Sequence, residues 1–363
     1  MILAAQHDDG WSPNWATHPG EHLEEYLDVR GWSQADFVRL SGLNKKLVSE
    51  IISCKNPVTP ETAIVLERVL GTKAYIWTGL QSNWDLFQAR KQKSRVAPET
   101  RAWVQRFPLK ELSDAGVLTE SDDEEECLDS LLRFLGIGTP AAYEAKQRSL
   151  DVRHRQGKGD VSNEHIFSWL MIGEHRARTV NLPAFEVAKF KDAVYQIRQM
   201  TREHPRVFEP RMVELCREAG VALVFEPAIS KTRLYGAARW LEANRALIQM
   251  SLRMKKNDHF WWTFFHECAH LILHKGQNFA DDAPGVGDQV EIEANSWAEE
   301  ALVGRNRFAR FLQTRPRTKM QVMGFAEEVG IHPGIVVGML QHKGVIEYRY
   351  MNDLKETFEL RRT

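Results

Sequence analysis

The stretch Phe260-Trp261-Trp262-Thr263-Phe264-Phe265-His266-Glu267-Cys268-Ala269-His270-Leu271-Ile272-Leu273-His274 constrains this chain more than any other. It predicts one helix, because apolar side chains hold most positions and neither Gly nor Pro interrupts. A helix this apolar must be buried, yet it carries H-E-x-x-H. Histidines four residues apart sit one turn apart on one face, so His266 and His270 can converge on one cation. Glu267 is offset by about 100°, within reach of water held by that cation. Two imidazoles, an adjacent carboxylate base and an open position are the parts of a zinc hydrolase. Without a metal, these buried polar groups would all need other partners.

A catalytic zinc site takes three protein ligands, so a third must come from downstream. His274 is nearest, but the longer pattern H-E-x-x-H-x-x-G-x-x-H needs Gly and His where this chain has Leu273 and Gly276. His274 is therefore expected beside the ligands, not among them. The stretch Val290-Glu291-Ile292-Glu293-Ala294-Asn295 supplies a better candidate. On a helix Glu291 and Asn295 share a face, so Glu291 can bind the metal while Asn295 orients a histidine. Glu293 remains the alternative ligand.

The chain from about 220 to 304 resembles the ImmA/IrrE metallopeptidases. The resemblance rests on Gly220-Val221-Ala222-Leu223-Val224-Phe225, Gly236-Ala237-Ala238, the 260–274 stretch and Glu293-Ala294-Asn295-Ser296-Trp297-Ala298. It implies a thermolysin-like, gluzincin-type zinc endopeptidase with Glu267 as its catalytic base. Ala269 stands where the family usually has Gly, and Ala301-Leu302-Val303-Gly304 departs from its usual Leu-Leu-Met-Pro or Leu-Leu-Ile-Pro.

With 363 residues, 43% of them hydrophobic, the chain can bury two or three cores. A formal net charge of −1 excludes a global basic field, so any nucleic-acid contact must be local. Cys54, Cys127, Cys216 and Cys268 form no CxxC, which suits free thiols in a reducing cytosol. Residues 1–11 lack the pattern of a signal peptide. No apolar run reaches the roughly 18 residues of a membrane span. The expected location is cytoplasmic, without membrane contact.

Residues 1–16 read as a flexible lead-in. Pro19 opens a helix to Arg30, Ser33 caps a second with Asp36 in a capping position, and Asn44 caps a third after the turn Gly42-Leu43-Asn44. Pro60 opens a fourth, to Leu70. Helix, short Gly-containing turn, helix is the helix-turn-helix layout. Lys45, Lys46 and Ser49 are expected to project from the recognition helix, with Val48 and Ile51 in the core. Asn44 is expected to influence sequence preference, and Lys55 to meet phosphate.

Residues 17–92 resemble HigA-type antitoxins of the XRE class through His18-Pro19-Gly20-Glu21, Trp32-Ser33-Gln34, Ser49-Glu50-Ile51-Ile52 and Asn56-Pro57-Val58-Thr59-Pro60-Glu61-Thr62-Ala63. The resemblance implies operator DNA, a homodimer and a possible toxin partner.

Lys91 to Thr100 reads as a linker, 101–205 as a helical middle region, and Asp151 to Glu164 as a loop within it. The peptidase core is 206–304. In it, Val221–Phe225, Tyr235–Leu241 and Ala246–Ser251 are strands, whose sheet is expected to offer an edge for strand addition by a peptide. Tyr235, Arg239 and His259 are candidate oxyanion stabilisers. Lys275 to Gln289 reads as a loop with Asp281-Asp282 as solvated charges, and 305–363 as a helical cap. The expected fold is α+β and mostly helical: a five-helix DNA-binding domain, the helical middle, a zincin core with a small sheet, and the cap. The expected function is a DNA-binding regulator carrying a zinc endopeptidase. Its protein substrate is a helix-turn-helix repressor or the chain itself, in a stress, toxin–antitoxin or mobile-element response. The competing reading is an antitoxin or repressor whose peptidase fold only senses or docks.

Overall fold

The computed structural model describes residues 15–91, 96–119, 121–149, 152–153, 161–251, 253–281 and 289–358. It divides into two compact units, 1–96 and 97–363. The lead-in at 1–14 lies outside the described residues.

The first unit is five helices: α1 (Pro19–Arg30), α2 (Gln34–Ser41), α3 (Lys45–Ile52), α4 (Pro60–Leu70) and α5 (Ala74–Lys91). Local chemistry sets their ends. Ser33 and Asp36 form a reciprocal capping box on α2, a contact whose loss costs about 1 kcal/mol. Gly42 closes α2 at φ 70°, a left-handed conformation that favours glycine. Asn44 then caps α3 by accepting from the Lys46 N–H at 2.8 Å. Leu23, Phe37, Val48, Ile51 and Leu66 are wholly buried, with Trp77 nearly so, and they form one core.

The second unit begins with α6 (Pro98–Val104), α7 (Leu109–Asp114), α8 (Glu124–Leu135), α9 (Tyr143–Ser149), the two-residue strand β1 (Val152–Arg153), α10 (Asn163–Arg178), α11 (Val187–Gln199) and α12 (Pro205–Glu218). It continues with β2 (Val221–Phe225), β3 (Gly236–Glu242), β4 (Arg245–Met250), α13 (Asn257–Leu273), β5 (Asn278–Asp281), α14 (Gln289–Val303), α15 (Arg305–Gln313), α16 (Lys319–Val329) and α17 (Pro333–His342). The five strands form one mixed sheet in the order β1-β5-β3-β4-β2.

β2 and β4 are buried on both faces, which is why they read as continuous apolar runs. Ala246, Ile248 and Met250 of β4 face α11, α12 and α13. Gln249, between them, faces the other way and donates to the Trp169 carbonyl of α10. Phe190, Val194 and Ile197 of α11 share the core of α13, as do Val322, Phe325, Ile335 and Leu340 of α16 and α17. The expected middle region, catalytic core and cap are therefore packed as one body, because each supplies a layer that the small sheet cannot do without.

Four sequence expectations need correction. The linker is shorter than expected: Lys91 still ends α5 and Pro98 already opens α6, with 92–95 outside the described residues. The loop at 275–289 contains β5, where Asp281 pairs with Gly236; Asp282 lies outside the described residues. Most important, among the described residues the edge of β3 beside α13 is not open. β5 runs antiparallel along β3, with Ala238 opposite Phe279, and β1 runs parallel along β5. The 151–164 loop thus supplies a strand at Val152–Arg153, and Asn163 and Glu164 open α10; 154–160 lie outside the described residues.

Candidate functional site

The rotation of α13 is fixed by packing. Trp261, Phe264, Phe265 and Cys268 are wholly buried, and replacing such an aromatic by Ala costs about 3–5 kcal/mol. With that face locked into the core, His266 and His270 turn toward α14. Their Nε2 atoms lie 3.0 Å apart. Glu291 of α14 brings Oε2 to 3.1 Å from His266 Nε2 and Oε1 to 3.5 Å from His270 Nε2. Tetrahedral zinc, with bonds near 2.0–2.1 Å, separates neighbouring ligand atoms by about 3.3 Å, so this donor set fits that ion. Among the described residues, His266, His270 and Glu291 are the one cluster of His, Cys, Asp or Glu suited to hold a metal.

The outer ring nitrogens are held by specific partners. His266 Nδ1 lies 3.1 Å from Asn295 Oδ1. An amide oxygen only accepts, so His266 carries its proton on Nδ1 and presents Nε2 to the cluster. His274 Nε2 lies 3.2 Å from Glu293 Oε2, and His274 Nδ1 lies 3.3 Å from His270 Nδ1. The hydrogen bonds of Gln289 and His274 hold the Glu293 carboxyl below its usual range. It accepts from His274, which in turn accepts from His270 and leaves His270 Nε2 facing the cluster. Burial, with His266 and His274 beside it, lowers the His270 pKa to about 2, which keeps the ring neutral and able to ligate.

Glu267 is wholly buried against the start of β3. A Cβ on Gly236 would stand 2.6 Å from Glu267 Oε1, so only glycine lets the strand come this close. Of the candidate oxyanion stabilisers, Tyr235 adjoins Gly236 in the chain and lies beside His259, with ring centroids 6.3 Å apart. Arg239 is excluded. It is buried on the α10 side of β3, donating to the Leu170 carbonyl at 2.5 Å and paired with Glu174 at 3.5 Å. Strand alternation turns it away from α13.

In the first unit, Asn44, Lys45, Lys46 and Ser49 are exposed at and along α3, and Lys55 is exposed just beyond it. Lys46 stands 3.7 Å from Glu50. The Asn44 side-chain oxygen is engaged as the helix cap.

Over 73 residues, or 20% of this chain, the sequence is 34% identical to an uncharacterized HTH-type transcriptional regulator, YddM, of Escherichia coli K12, covering 78% of that protein. The N-terminal region belongs to the helix-turn-helix transcriptional regulators.

This regulator is also 33% identical over 82 residues to virulence-associated protein I of Dichelobacter nodosus, covering 22% of the chain and 76% of that protein. A solved addiction module antidote protein of a HigA family from Coxiella burnetii is 27% identical, covering 23% of the chain and 96% of its own, with a TM-score of 0.20. No family model matches the chain. Among the described residues of the regulator, no helix is long and apolar enough to cross a membrane.

Sequence reasoning missed Phe279, whose ring stacks on His270 at 3.9 Å. It sits in a stretch rich in Gly, Asp and Pro, and no periodicity marks it.

Proposed function

We propose that this chain is a DNA-binding transcriptional regulator carrying a zinc-dependent endopeptidase. Its substrate is a specific protein, either a helix-turn-helix repressor or the chain itself. The convergence of His266, His270 and Glu291, with Glu267 next to them, carries the reading. Zinc, when bound, supplies a Lewis acid that polarises a carbonyl and makes water nucleophilic near neutral pH. His266, His270 and Glu291 would hold it, with Asn295 and His274 keeping the two rings aligned. Glu267 accepts the proton of the attacking water and returns it to the departing amide nitrogen. Tyr235 or His259 stabilises the developing oxyanion. α3 offers Lys45, Lys46 and Ser49 to the major groove of an operator, and Lys55 to phosphate. A homodimer would read a symmetric site. The deciding experiment compares zinc-loaded wild type with Glu267→Gln on candidate repressors and on the chain itself. Cleavage by the wild type alone supports the reading; equal cleavage by both removes the mechanism.

The named relatives favour a second reading. One is called an antidote of an addiction module, so the second unit could serve an antitoxin or repressor as a sensing or toxin-docking body. Wild-type inertness toward every protein tested, with intact operator binding, would select it.

A further inference from the structure

Just before α13 opens, Arg253, Lys255 and Lys256 put three cations within four residues, with no acid among them. The whole chain has a formal net charge of only −1, so this is a local field. Arg253 and Lys255 are exposed, and among the described residues neither meets a carboxylate. Lys256 donates to the Thr357 hydroxyl at 2.9 Å. The acids closest at hand are already engaged: Asp258 by Lys355 at 2.6 Å, and Glu356 by His332 at 3.4 Å.

The backbone that carries these cations is held by the C-terminal segment. The Phe358 N–H donates to the Lys255 carbonyl at 2.7 Å, and the Asn257 N–H donates to the Glu356 carbonyl at 3.0 Å. Between them Lys255 sits at φ 51°, a left-handed conformation that side-chain-bearing residues rarely adopt. The segment is thus fixed before any ligand arrives, which lowers the ordering cost of binding.

Contacts put this basic rim beside Glu267. Arg253, Lys255 and Lys256 line a shallow depression together with Tyr235, His259 and Thr263. The Arg253 guanidinium stands 5.9 Å from the centre of the Tyr235 ring, and that ring stacks with His259. Tyr235 and His259 are the two groups proposed above for the oxyanion. Thr263 and Glu267 stand side by side on α13: a Cβ on Gly236 would meet both, Thr263 Cγ2 at 2.7 Å and Glu267 Oε1 at 2.6 Å. The depression therefore ends about one helical turn, or 5.4 Å, from Glu267. An extended peptide advances about 3.4 Å per residue, so a side chain about two or three residues from the cleaved bond reaches the cations.

A carboxylate arriving there gains charge-assisted hydrogen bonds from cations that have no other acid to meet. A lysine or arginine would meet like charge, and a neutral amide would gain little. We infer that Arg253, Lys255 and Lys256 form a selecting subsite, which captures an acidic side chain a few residues from the cleaved bond. The inference rests on the peptidase reading above and adds its substrate class, a peptide segment carrying Asp or Glu at that place.

The test has two arms. In the first, full-length zinc-loaded protein is incubated with a mixed peptide library and the cuts are mapped by mass. The expected result is enrichment of Asp and Glu at one position on one side of the cut. The double variant Arg253→Glu, Lys255→Glu should lose that preference or turn it toward Lys and Arg. The double variant Arg307→Glu, Arg310→Glu changes the net charge equally on exposed positions of α15 and should keep it. Cleavage without an acidic preference, or with one that survives reversal of the rim, overturns the inference and leaves the peptidase reading intact. The second arm needs no turnover. Two fluorescent peptides of one sequence, differing only in Glu against Gln, are compared by anisotropy at low salt. The wild type should bind the Glu peptide at least about tenfold more tightly, and the rim variant should bind both alike. That result supports the subsite even if nothing is cut, an outcome that counts against the peptidase reading alone. Equal affinity of the wild type for both peptides counts against the subsite and requires no variant to fold. A DNA oligonucleotide whose binding falls in the rim variant, with the two peptides bound alike by the wild type, would assign the cations to nucleic acid and overturn the inference.

Discussion

Asn295 accepts a hydrogen bond from His266 across the α13–α14 interface, at 3.1 Å between Oδ1 and Nδ1. That contact ties the orientation of the His266 ring to the helix that also carries Glu291. Partners of this kind typically change metal affinity by about 10–100-fold when removed. Asn295→Ala is therefore expected to weaken zinc binding by that factor without unfolding the unit, as read by chelator competition. An unchanged affinity would show that packing alone orients the ring.

The two acidic residues of α14 should separate cleanly. Glu291 meets the Nε2 atoms of His266 and His270, whereas Glu293 meets His274 and Gln289. Glu291→Ala and His270→Ala should lose stoichiometric zinc in metal analysis. Glu293→Ala should retain it with weaker affinity, because the chain through His274 to His270 is cut. Full occupancy in Glu291→Ala and loss in Glu293→Ala would assign the ligand role to the other carboxylate.

Much of this arrangement could be read in the sequence because it is local. H-E-x-x-H places His266 and His270 on one face by helix period alone, and the four-residue step from Glu291 to Asn295 does the same for the side chains that meet them. Ser33, Gly42 and Asn44 announce helix ends through side-chain and backbone chemistry that acts over two or three residues. What could not be read was non-local. Arg239 looks like a polar group near the site until the pairing of β3 shows which face it occupies. β5 has four residues, no alternation and turn-forming neighbours, so nothing but its partner strand defines it. The role of α10 as the cover of the sheet was equally invisible, since Trp169 and Leu170 signal burial but not against what.

Glu267→Gln is expected to fold and to hold zinc normally, because the amide keeps the shape of a wholly buried side chain. Cleavage should fall by at least about 100-fold, the lower range for losing a positioned proton carrier. Metal content and cleavage measured on the same sample separate this from a loss of the ion.

On the first unit, Lys45→Ala and Lys46→Ala should weaken operator binding across all sequences. Each lost phosphate contact should reduce the salt-dependence slope by about 0.9. Ser49 substitutions should instead change which sequences are preferred. Asn44→Ala acts differently, because its side-chain oxygen caps α3. It should lower the stability of the unit by about 1 kcal/mol, seen in thermal melts without DNA. A pair of lysine variants with wild-type affinity and salt slope would place the DNA contacts elsewhere.

The strand beside His270 carries the last prediction. β5 is tied to β3 by its ladder and by Asn278, whose side-chain oxygen accepts from the Trp240 N–H at 2.7 Å. Phe279 adds the stack on His270 and is almost fully buried. The strand thus lies where an added peptide strand would pair. Loosening it should expose β3 and admit substrate. Asn278→Ala removes one hydrogen bond and leaves the Trp240 N–H without that acceptor, a change of about 1–3 kcal/mol. Hydrogen exchange of the 236–242 segment is expected to rise, and peptide cleavage to rise with it, by several-fold at subsaturating substrate. Phe279→Ala should do the same more strongly, although it also disturbs His270, so its zinc content must be measured alongside. Faster exchange with unchanged cleavage in Asn278→Ala would mean that substrate reaches the ligands without using this edge. Slower cleavage with full zinc would mean that β5 instead helps to form the binding surface.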